Sequence, residues 1–105
     1  MKKFEVKILT KLLKEKGLDE FIELLKSPKF DIDYSGVGYF LTIKDDKIPS
    51  ERIVLDTPVI EGKLGDKTVG FLAFIESSEL TLECYSYEDS LDNKDRAQNF
   101  KLNAK

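Results

Sequence analysis

Residues 62–87, GKLGDKTVGFLAFIESSELTLECYSY, set their own strand register. A two-residue turn at Ser77 and Ser78 puts Ile75 opposite Leu80, Ala73 opposite Leu82, Phe71 opposite Cys84 and Val69 opposite Ser86. These pairs lie on one side of the hairpin. A slip of one residue would send half of them to the wrong face, so the pattern specifies a single pairing. Around a second turn at Gly65, Asp66 and Lys67, the residues Ile60, Gly62 and Leu64 fall on the side of Val69, Phe71 and Ala73. Three consecutive strands therefore share an apolar face and form a meander.

The strand over 68–75 is apolar on its other side as well, through Leu72 and Phe74. That implies a central strand covered on both faces or engaged in an interface. Its neighbours on the second side are Val59, Thr81, Glu83, Tyr85 and Tyr87.

The N-terminal segment, 1–27, reads as helix. Ile8, Leu9, Leu12 and Leu13 make one apolar stripe, and Leu18, Phe21, Ile22 and Leu25 make another. Lys3, Lys7, Lys11 and Lys14 share the wet side. Gly17 suits a helix C-terminus and Asp19 a second helix start, so the segment is one kinked helix or two short ones, ended by Pro28. From Phe30 the period becomes two. Strands are predicted over 37–44, 52–55, 59–64, 68–75 and 79–87, with Asp56, Thr57 and Pro58 stopping the second. In the polar stretch 88–105, Phe100 and Leu102 alternate as a short edge strand would; otherwise the stretch is a tail. The expected architecture is a single α+β domain: helical over 1–27, packed on an antiparallel sheet of about five strands over 30–87 that ends in a meander.

The chain contains no His. That removes Ser-His-Asp and Cys-His catalysis, the usual general base at neutral pH and the commonest zinc ligand. The lone cysteine, Cys84, excludes an internal disulfide and falls on the apolar side of its strand, as a small buried hydrophobe does. Asp31, Asp33, Ser35 and Gly36 open a D-x-D-x-S-G calcium-loop pattern. Its twelfth position is Thr42 instead of a bidentate Glu, so a helix-to-strand loop is expected with Asp31, Asp33 and Ser35 as no more than a weak metal candidate. Gly36 and Gly38 precede a strand and open no helix, which removes a phosphate cradle; turning or close packing explains them. Glu61, Glu79 and Glu83 offer carboxylates without His. Glu61 and Glu83 are expected to flank Leu72 on opposite neighbouring strands, ~9–10 Å apart by strand spacing, with little room for a sugar cleft.

Charge is uneven. Residues 1–29 carry eight Lys against five acids, and 30–105 carry nine bases against fifteen acids. An acidic surface repels a nucleic-acid backbone and attracts basic partners. The four helix lysines lack interleaved aromatics, so neither nucleic acid nor membrane is an expected partner. No apolar run reaches membrane-span length, and MKKFEVK is not a secretory leader. A natural start at Met1 would place the chain in the cytoplasm. The expected function is a non-catalytic protein-binding module without cofactor, of which an immunity-type protein neutralising a basic target is one concrete form. The candidate contact patch is Leu72, Phe74, Glu83, Tyr85 and Tyr87. Self-association through that patch and a small carboxylate-based enzyme are the alternatives.

Overall fold

A computed structural model describes residues 1–26, 29–87, 90–97 and 100–104. It is α+β: helices on one face of a six-stranded antiparallel sheet. Helix α1 (Lys3–Glu15) is followed by a 3-10 helix (Asp19–Lys26), so the N-terminal segment is two helices. Between them Gly17 takes φ +73°, and the amides of Leu18 and Gly17 donate to the carbonyls of Leu13 and Lys14. This is a Schellman stop, which needs a residue free of a Cβ penalty at that position. Asp19 is the first residue of the second helix and does not cap it.

The strands are β1 (Asp31–Tyr34), β2 (Gly38–Lys44), β3 (Ile53–Leu64), β4 (Lys67–Glu76), β5 (Glu79–Ser86) and β6 (Lys101–Ala104), in spatial order β1-β2-β5-β4-β3-β6. The β4–β5 register is the one read from the sequence, from Val69 opposite Ser86 to Ile75 opposite Leu80. Ser77 and Ser78 both adopt positive φ, 53° and 61°, as a two-residue hairpin turn of matching twist demands. The meander β3-β4-β5 is present, and the β2-to-β3 connection crosses its end, where the amides of Ser77 and Ser78 donate to the carbonyls of Ser50 and Pro49.

The sheet departs from the expected five strands in three places. Residues 31–34 form a strand where a loop is expected. The segments 52–55 and 59–64 are one strand, because a bulge between Leu55 and Ile60 absorbs Asp56, Thr57 and Pro58. Strand β6 adds to the edge of β3, and a short helix α2 (Asn93–Arg96), capped by Asp92, precedes it. Residues 27, 28, 88, 89, 98, 99 and 105, Pro28 among them, lie outside the described set.

The core lies between the sheet and the helices. Phe4, Ile8, Leu9, Leu12 and Leu13 of α1 pack against Tyr39, Leu41, Leu55, Ile60, Phe71, Ala73, Ile75, Leu80 and Leu82. Lys3, Lys7, Lys11 and Lys14 face water. Leu91 and Phe100 are buried in the same layer, with the Phe100 ring 5.2 Å from Phe4 and 6.0 Å from Phe71. The C-terminal segment thus closes the helix side. Among the described residues no helix is long and apolar enough to cross a membrane.

Candidate interaction surface

With the helices on one side, the alternate residues of every strand project from the other. Ladder register places Asp33, Phe40, Glu83 and Leu72 side by side in one row, and Asp31, Thr42, Thr81, Phe74 and Val54 in the next. A third row runs Glu61, Gly70, Tyr85 and Gly38. All five residues of the expected contact patch share this face. Leu72, Phe74, Glu83 and Tyr85 are half-buried, and Tyr87 is 48% exposed. No described element covers them: β2 lies within the sheet and the C-terminal segment packs on the opposite side.

The face is ordered from within. The Tyr85 ring lies directly over Gly70, in space any Cβ there would claim. Its ring centroid is 5.8 Å from that of Tyr87, whose hydroxyl donates to Glu61 Oε2 at 2.6 Å. That hydrogen bond, ahead of burial, pushes the Tyr87 phenol up to about 12. Burial, then the charges of Glu83 and Glu61, raises the Tyr85 phenol. Arg52 sits 5.5 Å over the Phe74 ring while pairing with Glu76 at 3.2 Å, and Lys44 pairs with Glu79 at 3.5 Å. Charge is therefore balanced at the end of the face near the β4–β5 turn. Toward β1 it is not, since among the described residues none of the ion pairs engages Asp31 or Asp33 on that edge, or Glu83 two strands in.

The remaining candidate residues fall into other roles. Asp31 and Asp33 project from a strand instead of wrapping an ion, and Ser35 and Gly36 (φ +91°) turn the chain from β1 to β2. Among the described residues no three carboxylate or thiol groups are placed to hold a metal. Glu61 lies opposite Gly70 and not Leu72, because the β3–β4 turn contains two residues and joins Leu64 to Lys67. With Glu61 bonded to Tyr87 and Glu79 paired to Lys44, the three carboxylates do not converge.

No protein-family model, curated protein or solved structure matches this chain. What the molecule offers has to be read from its own surfaces.

One polar cluster lies inside the core. Glu5 is 0% exposed and accepts from the Tyr39 hydroxyl (2.7 Å), from Arg96 Nε (2.8 Å) and Nη2 (2.9 Å), and from the Lys2 amide (2.8 Å). The guanidinium lies 5.7 Å over the rings of both Phe30 and Tyr39. Burial opposes the Arg96 charge, but the hydrogen bond and charge of Glu5 prevail and raise its pKa. The Glu5 carboxylate is fully satisfied and shielded from water, with only the Arg96 side chain partly exposed, so the cluster ties α2 to α1 and β2 as a clasp. It escaped the sequence reading, although Glu5 stands seven residues before Leu12 on the buried stripe.

Cys84, the register partner of Tyr39, is 1% exposed. Burial first, then the charges of Glu5 and Glu83, pushes its thiol from 9.0 up to about 12, and burial raises the Tyr39 phenol too. Folding therefore retains protons that the unfolded chain releases above about pH 9. Stability from these groups is complete below that pH and falls as pH climbs toward 12, each group contributing a slope of about 1.4 kcal/mol per unit. Urea midpoints should hold steady from neutral pH to pH 9 and then decline. Thiol labelling of Cys84 at pH 8 should track global unfolding; rapid labelling of the folded protein would contradict the burial.

Proposed function

We propose that the chain is a non-catalytic protein-binding module whose open sheet face docks a basic protein. One observation carries the reading: a band of Phe40, Leu72, Phe74 and Tyr85 that no described element covers, with Glu83 set within it and Asp31 and Asp33 at its β1 border, all three acids outside the ion pairs among the described residues. Aromatic and aliphatic anchors at the centre of a patch carry binding energy once water is excluded. Acids within and beside it select the partner's charge and speed encounter. A neutralising partner of the immunity type, set against a basic target, is one form this takes.

The test is site-specific photo-crosslinking in the native host. A crosslinker at Leu72 or Phe74 should capture a partner of net positive charge, and one at Lys11, on the helix layer, should not. The reversals Asp33→Lys and Glu83→Lys together should reduce capture at least about tenfold. Equal capture from Lys11, or capture indifferent to the reversals, would overturn the reading.

A further inference from the structure

The two edges of the sheet carry opposite charges on strands of equal length. Edge strand β1 places Asp31 and Asp33 on the open face and half-buried Ile32 on the helix side. Edge strand β6 places Lys101 and Asn103 on the open face and half-buried Leu102 on the helix side. Lys63, the cross-strand partner of Lys101, adds a second positive charge. Lys7 and Lys11 line a shallow cavity of about 170 Å³ beside Leu102 and Ile60, so lysines stand on both faces of the β6 edge, and Glu61, the partner of Asn103, is held by the Tyr87 hydroxyl.

Strand polarity matches as well. All five neighbour pairings are antiparallel, so across six strands β1 and β6 run in opposite directions. A second copy moved alongside by translation sets its β1 antiparallel to the first copy's β6, with both helix layers on one side. Aligning Ile32 with Leu102 then sets Asp33 opposite Lys101 and Asp31 opposite Asn103. Apolar groups meet on the helix side and acid meets lysine on the open side. Pairing β1 with β1 around Ile32 sets Asp31 opposite Asp33, and pairing β6 with β6 gathers the Lys63 and Lys101 of two copies at one seam. Charged edges ordinarily discourage sheet extension. Here they discourage only like-with-like pairing.

We infer that β1 of one copy adds to β6 of another, head to tail, extending the sheet from molecule to molecule. The contact is heterologous and does not close on itself. Four residues per strand make a seam well below the size of a permanent interface, so association is weak, driven by concentration and screened by salt. This inference is independent of the docking role of the open face.

Sedimentation equilibrium at low salt, from about 10 µM to about 1 mM protein, tests it. The weight-average mass should rise from the 12.0 kDa monomer to at least about twice that, and return to monomer in about 0.5 M salt. The variants Asp31→Lys/Asp33→Lys and Lys63→Glu/Lys101→Glu should each remain monomeric, because each then carries like charges on both edges. Mixing the two should restore association, with circular dichroism establishing that both are folded. Phe74→Lys, which leaves the edges intact, should associate as the parent does. A parent that stays monomeric at the highest concentration would overturn the inference, as would a mixture that fails to associate. Loss of association in Phe74→Lys would also overturn it, by moving the seam to the open face.

Discussion

Arg96→Met should destabilise the fold by about 3–5 kcal/mol, because it strands a buried carboxylate. Glu5 has no access to water and relies on the Arg96 fork for two of its four hydrogen bonds. Methionine fills much of the same volume but donates nothing, which leaves the Tyr39 hydroxyl and the Lys2 amide to hold a full negative charge. Domains of this size are stable by about 5–15 kcal/mol, so the loss is a large fraction of the whole. Urea denaturation of the parent and the variant measures it.

The paired replacement Glu5→Met/Arg96→Met separates the value of the ion pair from the penalty of breaking it. Exchanging a buried pair for well-packed apolar groups is often neutral or stabilising. The double variant should therefore recover most of what Arg96→Met loses. Tyr39→Phe removes only one of the bonds to Glu5 and should cost about 1 kcal/mol. A single replacement of Arg96 that proved no worse than this would show that the clasp is not desolvated. The Arg96 ring contacts with Phe30 and Tyr39 add a second consequence: its loss should loosen α2 and β6 before the other five strands open, which amide exchange resolves.

Parts of this fold were legible in the sequence for identifiable reasons. The β4–β5 pairing was, because a tight turn joins two strands of clear parity and no distant information is needed. The same parity put Leu72, Phe74, Glu83, Tyr85 and Tyr87 on one face. Phe40, which lies beside Glu83 on that face, was not assigned there, since parity alone does not say that β2 pairs with β5 across a crossover. Strand β1 reads as a loop because DIDY offers acids on its outward side, and its partner β2 supplies the order that its own residues lack. Asp56, Thr57 and Pro58 carry a genuine stop signal, which a bulge overrode. The Glu61 position turned on turn length: two residues joining Leu64 to Lys67 set it opposite Gly70 and not Leu72, beneath Tyr85 and within reach of Tyr87. Glu5 was recognisable only as a charge on an apolar stripe, and its partner lies 91 residues away in the chain.

Gly38→Ala should cost about 3 kcal/mol, at the upper end for overpacking, whereas Gly36→Ala should cost about 1 kcal/mol. The two glycines lie two residues apart and do different things. Gly36 adopts φ +91° in the turn between β1 and β2, and a methyl group there would meet open space, so its substitution carries backbone strain alone. A methyl group at Gly38 would be driven onto the carbonyl oxygen of Cys84 and crowd the Cα of Tyr85 at 3.0 Å. Those atoms are backbone of the neighbouring strand and cannot rotate away. Relief requires β2 and β5 to separate, which breaks the ladder holding Tyr39 over the Glu5 clasp and Phe40 beside Glu83. Urea midpoints should therefore rank the parent first, Gly36→Ala next and Gly38→Ala last, and amide exchange in the last should quicken along β2 and β5 ahead of β3 and β4. Equal stability in the two variants would mean that the strands pass each other with more room than the β2–β5 register allows.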